Sequence, residues 1–203
     1  MHFLLEKNQY QNVLKLLSEM KERGQQTDTT TTLQYAYEAY RGVGNEDQTL
    51  ETAIQLILKG KEDYYQQTKE VVSNPNLFYH KVKTALRARQ PDFILTGVYK
   101  NILILEEDWS GLLELVGIKP AVIEAVAPLL KPHYLKETET LYTRYLLDYA
   151  DTLSKRKEYK KLATKIRQYG QVVGVVKQNE LADTIKEAYP RKNALIEELD
   201  KVS

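Results

Sequence analysis

Apolar residues recur along this chain with the period of an α-helix. One stretch places five of them at positions i, i+3, i+4, i+7 and i+8: Leu50, Ala53, Ile54, Ile57 and Leu58. This spacing puts all five on one face of a helix. Similar stripes follow one another through the sequence and are separated by Asn, Pro and Gly residues, which favour helix starts and ends. Such a chain folds by packing amphipathic helices against each other.

Signals for β-strands are weak in comparison. The run Gln171–Val176 is rich in β-branched residues, but helical patterns flank it on both sides, which favours a helix end or a loop. Lys119-Pro120 is typical of a helix start, and Pro128 and Pro132 are predicted to close that short helix. We predict an all-α protein of about nine or ten helices with no sheet.

A motif led by an aromatic residue occurs four times and indicates an internal repeat. In three copies, led by Tyr10, Trp109 and Tyr159, apolar residues follow three, four and seven positions later; the copy at Tyr64 is weaker. We expect each such helix to dock on the helix before it. Neighbouring pairs would then stack into an antiparallel helical-repeat array of the TPR or HEAT type. The alternative is that any amphipathic helix produces this spacing by chance.

The domain organisation is interpreted from the same repeat. The whole of 1–203 is expected to form one helical-repeat domain, with possible sub-units 1–90 and 91–203. Only nine residues precede the helix at Tyr10, whereas the later strong copies of the motif have a full helical pattern before them. The first helix pair is therefore expected to be truncated, and the chain to be a fragment of a longer protein.

The composition restricts the chemistry that the chain supports. Cysteine is absent, so disulfides, thiolate zinc sites and cysteine nucleophiles are excluded. The histidines His2, His80 and His133 lack metal-binding spacings, and there is no glycine-rich phosphate loop. The carboxylate clusters 106–108 and 197–198 occur where water is expected, whereas a catalytic acid needs burial to raise its pKa. We expect no metal, no cofactor and no enzymatic activity.

Charge and hydropathy indicate a cytoplasmic protein. Lys and Arg number 29 and Asp and Glu number 28, so the net charge of +1 argues against a strongly electrostatic partner for the whole chain. No apolar run approaches the length of a membrane span. The N-terminal sequence has neither the basic segment nor the small-residue cleavage site of a secretory signal.

Positive charge is concentrated in one predicted helix. The stretch 154–167 has seven basic residues and one acidic residue, and it contains the candidate partner-binding residues Lys157, Lys160, Lys161 and Lys165. Three of these lysines follow each other at intervals of four and therefore share a helix face. Such a face binds phosphates or an acidic protein strip, or it only keeps the protein in solution. A second basic stretch, 80–89, lacks the partner helix that a DNA-recognition helix needs.

A distinctive helical pattern covers about the last 70 residues. Ten positions carry it: Tyr145, Tyr159, Ala163, Tyr189, Pro190, Arg191, Ala194, Leu195, Glu198 and Leu199. In these positions the chain resembles the helical C-terminal region of bacterial SWIM zinc-finger proteins. The zinc finger of that family needs three cysteines and a histidine, and this chain has no cysteine. The resemblance implies binding of nucleic acid or protein, with the finger outside this chain or lost.

These features predict a non-enzymatic scaffold for protein or peptide interaction, the helical-repeat region of a larger cytoplasmic protein. The alternative is an accessory nucleic-acid-binding region that acts with an upstream zinc finger. A third hypothesis, an enzyme with no visible motif, requires a buried cavity that holds a pair of titratable groups with shifted pKa values.

Overall fold

The computed structural model describes residues 1–90 and 92–202, and for Phe93 and Ile94 it describes the backbone alone. Helices and turns account for this part of the chain, and it contains no strand. The chain divides into two compact units, Met1–Ile102 and Leu103–Ser203. The all-α prediction is confirmed.

Seven helices begin in the first unit: α1 (His2–Glu6), α2 (Tyr10–Glu22), α3 (Thr30–Gly42), α4 (Glu46–Ile57), α5 (Asp63–Lys69), α6 (Pro75–Arg87) and α7 (Phe93–Leu105). Six begin in the second: α8 (Trp109–Ile118), α9 (Ile123–Leu130), α10 (Leu135–Asp151), α11 (Arg156–Val173), α12 (Val175–Ala188) and α13 (Asn193–Leu199). A 3-10 turn, Pro120–Val122, leads into α9. None of the helices that the structure describes is long and apolar enough to cross a membrane.

The predicted number of nine or ten helices is wrong, because the described residues form thirteen α-helices. The five residues of α1 are too few to show a periodic stripe. Gly174 separates α11 from α12 with φ 104° and ψ 156°, a conformation that is open to glycine and almost no other residue. The run Gln171–Val176 is therefore two helices meeting at one glycine.

The prediction that Pro128 closes α9 is also wrong, whereas Pro132 does follow the end of the helix. The helix continues through Pro128 to Leu130. Proline has no N–H, so the carbonyl of Glu124, four residues earlier, receives no helical hydrogen bond at this point. Burial of Ile123 and Leu130 on either side stabilises the helix despite this loss.

Short polar side chains fix the starts of several helices. The side-chain oxygen of Asn45 accepts a hydrogen bond from the backbone N–H of Gln48 at 3.2 Å, and that of Asp108 accepts one from Gly111 at 2.8 Å. These bonds satisfy backbone donors that have no partner inside the helix. The start at Asp108 positions Trp109 as the first residue of α8.

The aromatic residues of the three strong copies lie in the first turn of their helices, Tyr159 as the fourth residue of α11. Tyr10 and Trp109 contact residues outside the preceding helix, on which they are expected to dock. Tyr10 is the first residue of α2. Its ring lies against Gly42 of the following helix α3, where an added Cβ would be 2.5 Å from the ring carbons. Trp109 is half-buried and stacks on His133, with ring centroids 4.8 Å apart. Only Tyr159 of these three is enclosed, with an exposed fraction of 6%.

In the second unit α11 is the central helix, since α9, α10, α12 and α13 all pack on it. Its inner face contributes large apolar side chains, among them the fully buried Leu162 and Ile166. Tyr169 on the same face meets Tyr142 of α10 edge-on at 5.4 Å, and its hydroxyl shares a 2.9 Å hydrogen bond with Thr143. The opposite face of α11 is exposed.

Candidate functional site

The first turn of α11 is held by a single carboxylate. The side chain of Glu158 accepts hydrogen bonds from the backbone N–H groups of Ser154 and Lys155, each at 2.9 Å. A carboxylate at this position also interacts favourably with the positive end of the helix dipole. The bonds fix the start of the helix that carries the candidate lysines.

Several cations of α11 are engaged inside the protein. Arg156 donates to Glu197 at 2.7 Å and to Glu198 at 3.1 Å, which ties α11 to α13. Arg167 donates to the backbone carbonyl of Lys201 at 2.6 Å. These groups stabilise the helix packing and are less available to a partner.

Lys165, one of the four predicted partner-binding residues, is also engaged. Its ammonium group bonds the carboxylate of Glu124 on α9. It lies 5.3 Å from the ring centroid of Tyr149 and 5.9 Å from that of Tyr145, within reach of cation–π attraction. Only 20% of the Lys165 side chain is exposed. The structure therefore places it in an internal cluster.

The other three candidate lysines, Lys157, Lys160 and Lys161, are exposed and form no ion pair with a carboxylate in residues 1–90 or 92–202. Lys157 and Lys161 lie on the outer face of the helix, while Lys160 lies to one side, where its charge acts on Glu198. The structure keeps two of the predicted lysines together on an open face.

This open face continues along the whole helix. Five exposed residues follow one another at i, i+4, i+7, i+11 and i+14, which aligns them on one face. We call them the outer stripe: Lys157, Lys161, Thr164, Gln168 and Gln171. The stripe is cationic at its N-terminal end and uncharged beyond Lys161, where its side chains supply hydrogen-bond donors and acceptors.

A cavity of about 530 Å³ borders the uncharged end of the outer stripe. Residues of α9, α10 and α11 line it, with Lys131 just beyond the end of α9: Glu124, Pro128, Lys131, Tyr142, Gln168, Gln171 and Val172. Its volume falls in the range of small-ligand sites. Helix packing leaves this space beside Pro128, where α9 lacks one backbone hydrogen bond.

Glu124 supplies the negative charge with which the neighbouring polar groups at this cavity interact. Its carboxylate accepts hydrogen bonds from the Tyr145 hydroxyl and from Lys165. Burial, the hydrogen bond to Glu124 and its negative charge all raise the pKa of Tyr145. Burial and the charge of Glu124 likewise raise the pKa of Tyr142 to about 12. Both phenols are therefore neutral near pH 7 and act as hydrogen-bonding groups.

The hydroxyl of Tyr142 stands out in this cluster. The residue is 1% exposed and lines the cavity, and its hydroxyl forms no hydrogen bond with any residue that the structure describes. Its oxygen is not one of the fully buried side-chain atoms that lack a partner, so it reaches the open space of the cavity. The cavity is thus lined by a polar group whose hydrogen-bonding capacity is unused.

The first unit has a cleft of its own, of about 390 Å³, between α2, α3 and α4. Leu14, Leu17 and Tyr40 contribute apolar surface, and Lys21 and Glu51 carry opposite charges at its edge. The cleft has no counterpart of the buried tyrosine and ion pair found beside α11. It is the weaker of the two candidate sites.

The remaining polar candidates from the sequence do not converge on a site. His2 lies 3.2 Å from Glu6 on the exposed α1, and His133 stacks on Trp109. Within the described part of the chain no three His, Asp or Glu side chains come together as metal ligands would.

Sequence reasoning identified the lysines and missed the cavity. Glu124 and Lys165 are 41 residues apart, so nothing local in the sequence pairs them. The signal that was present is the row of tyrosines in α10, Tyr142, Tyr145 and Tyr149, which lies on one helix face. No family model, curated protein or solved structure matches this chain.

Proposed function

We propose that this chain is a non-enzymatic helical-repeat scaffold of the cytoplasm that binds an acidic protein or peptide segment along the outer stripe of α11. The observation that carries this proposal is the division of the cations on α11. Arg156 and Lys165 are engaged by carboxylates of the protein itself, whereas Lys157 and Lys161 project outward and form no ion pair among the described residues. An exposed pair of cations on an open helix face is a favourable surface for an acidic partner.

The charge balance favours a protein partner over nucleic acid. Within 103–203 there are sixteen basic and sixteen acidic residues, so the positive patch is local. Binding to phosphates draws on a broad basic surface that replaces many counterions. A short acidic segment needs only a few cations in one place. The resemblance to SWIM proteins is compatible with either partner, and nucleic acid is the alternative outcome of the test below.

Enzymatic activity is a weaker proposal, although the cavity does hold titratable groups with shifted pKa values. A tyrosine that acts as a base must lose its proton near neutral pH, and burial moves the pKa of Tyr142 in the opposite direction. The carboxylate of Glu124 already accepts two hydrogen bonds. The arrangement is suited to holding a ligand rather than to transferring a proton.

The test compares two double charge reversals. We expect Lys157→Glu with Lys161→Glu to weaken binding of a fluorescein-labelled peptide of eight glutamates by tenfold or more, about 1.4 kcal/mol. The matched control, Lys59→Glu with Lys81→Glu, makes the same change of net charge at two exposed lysines of the first unit. Affinity is measured by fluorescence anisotropy at fixed ionic strength.

Equal losses in the two double variants, or no measurable peptide binding, would contradict the proposal. An oligothymidylate of eight nucleotides serves as the second probe. If it binds more tightly than the peptide, loses affinity steeply with added salt and responds to the α11 variant, nucleic acid replaces peptide as the partner.

A further inference from the structure

We propose that the cavity between α9 and α11 binds the middle of this acidic segment in extended form. In this arrangement an uncharged hydrogen-bond acceptor of the segment meets Tyr142, and an acidic residue lies at each end, about four or five positions apart. The inference rests on the proposed function and specifies its ligand. Its starting point is the unused hydroxyl of Tyr142 in the cavity wall.

The charges around Tyr142 determine which kind of ligand group can hydrogen-bond to its hydroxyl. Glu124 lies close enough for its negative charge to act on the Tyr142 phenol, so a carboxylate of the ligand would be repelled there. Lys165 is already paired with Glu124 and offers no free cation. The matching group is an uncharged acceptor, such as a backbone carbonyl, an amide or a hydroxyl.

The acidic residues of the segment belong at the two ends of the cavity. Glu124 near the start of α9 bonds Lys165, and residues further along both helices line the same cavity, so α9 and α11 run in the same direction. Lys131, just beyond the end of α9, and Gln171 both line the cavity, and this direction puts both at its far end; Lys131 is exposed and forms no ion pair in the described ranges. Lys161 does not line the cavity; it lies on the outer stripe seven residues before Gln168 and provides the cation on that side.

The spacing between the two acidic residues of the segment follows from helix geometry. Lys161 and Gln171 are ten residues apart, or about 15 Å at about 1.5 Å per residue. An extended peptide advances about 3.3–3.6 Å per residue and covers this distance in about four or five residues. Between the two ends, Gln168 and Gln171 offer amide donors and acceptors to the peptide backbone, and Pro128 and Val172 provide apolar walls.

The experiment uses two capped hexapeptides of identical composition. The first, Glu-Gly-Gln-Ser-Gly-Glu, has its glutamates five positions apart, and the second, Gly-Glu-Glu-Gln-Ser-Gly, has them adjacent. Each is titrated into the ¹⁵N-labelled full chain and into its variants, and the dissociation constant is taken from the amide shifts. We expect the first peptide to bind the unmodified chain at least fivefold more tightly than the second.

Tyr142→Phe isolates the role of the hydroxyl. We expect it to weaken the first peptide at least fivefold and to leave the second unchanged, and Lys131→Gln to act in the same way. The stability of Tyr142→Phe in urea should not fall, because the lost hydroxyl has no partner among the described residues. Tyr169→Phe is the matched control: it removes the bond to Thr143, so stability should fall while binding of both peptides persists.

Two results separate this inference from the proposed function. If Tyr142→Phe and Lys131→Gln bind both hexapeptides as the unmodified chain does, while the Lys157 and Lys161 reversals still abolish acidic-peptide binding, the cavity is not the site and the lysine face is. If those reversals have no effect either, both proposals are overturned.

Discussion

Replacing Phe78 by alanine is expected to lower the free energy of unfolding by about 3–5 kcal/mol, the usual cost of removing a large aromatic side chain from a core. Phe78 lies on α6 with an exposed fraction of 0%, and its ring stacks on Tyr65 of α5 with centroids 5.5 Å apart. The substitution leaves a cavity at the contact of two helices and removes the stacked pair. Urea denaturation followed by circular dichroism measures the loss.

Phe3 provides a control of the same residue type. Its side chain is 61% exposed on α1, so Phe3→Ala removes little buried surface and should cost less than about 1 kcal/mol. Similar losses for Phe78→Ala and Phe3→Ala would contradict the packing of α5 on α6 described above.

Adding a single methyl group at Gly170 is expected to cost about 2–3 kcal/mol. A Cβ at Gly170 would lie 1.9 Å from Oε1 and 2.9 Å from Cβ of Gln178 on α12. Gln178 is 8% exposed, and its side-chain amide donates to the backbone carbonyl of Val202 at 2.9 Å. Gly170→Ala therefore displaces a buried amide from its hydrogen bond.

The same substitution at Gly97 should change the stability of the protein in the opposite direction. Apart from its chain neighbours and the backbone of its own helix, no atom that the structure describes lies within 4 Å of a Cβ placed at Gly97 on α7. Alanine loses less conformational freedom than glycine in a helix, so Gly97→Ala should raise stability by about 0.5–1 kcal/mol. Thermal and urea unfolding of the two variants measure both changes, and a loss at Gly97 or no loss at Gly170 would contradict the described contacts.

The sequence was sufficient to predict the helices because the apolar period is local information. It also predicted that Tyr10 and Trp109 begin helices, since both follow turn residues and precede apolar stripes. The helix against which each ring packs was not predictable from the sequence, because it depends on which neighbouring helix leaves space for the ring. Gly42 offers one to Tyr10 through the absence of a side chain, and that glycine is 32 residues away. The helical-repeat arrangement, the SWIM resemblance and the fragment hypothesis stay predictions.

The candidate site, too, is only partly predictable from the sequence. The positive charge of 154–167 is visible in the sequence, and Lys157 and Lys161 are as exposed as their helix positions predict. Periodicity gives the direction of a side chain but not what lies opposite it, so it predicts Lys165 on the same open face. Its pairing with Glu124 depends on the packing of α9 against α11, as does the cavity at Tyr142.

The carboxylate that fixes the start of α11 makes the lysine face sensitive to acid. The hydrogen bonds from the backbone N–H groups of Ser154 and then Lys155 hold the pKa of Glu158 below its ordinary value of 4.5. Its stabilising contribution is therefore complete above that value and is lost as the pH falls through the lower pKa of the folded state. Glutamates of a bound segment titrate over the same range. Acidification would thus loosen the first turn of the helix and neutralise the glutamates of the proposed segment together, so that release of such a segment in acid would need no histidine.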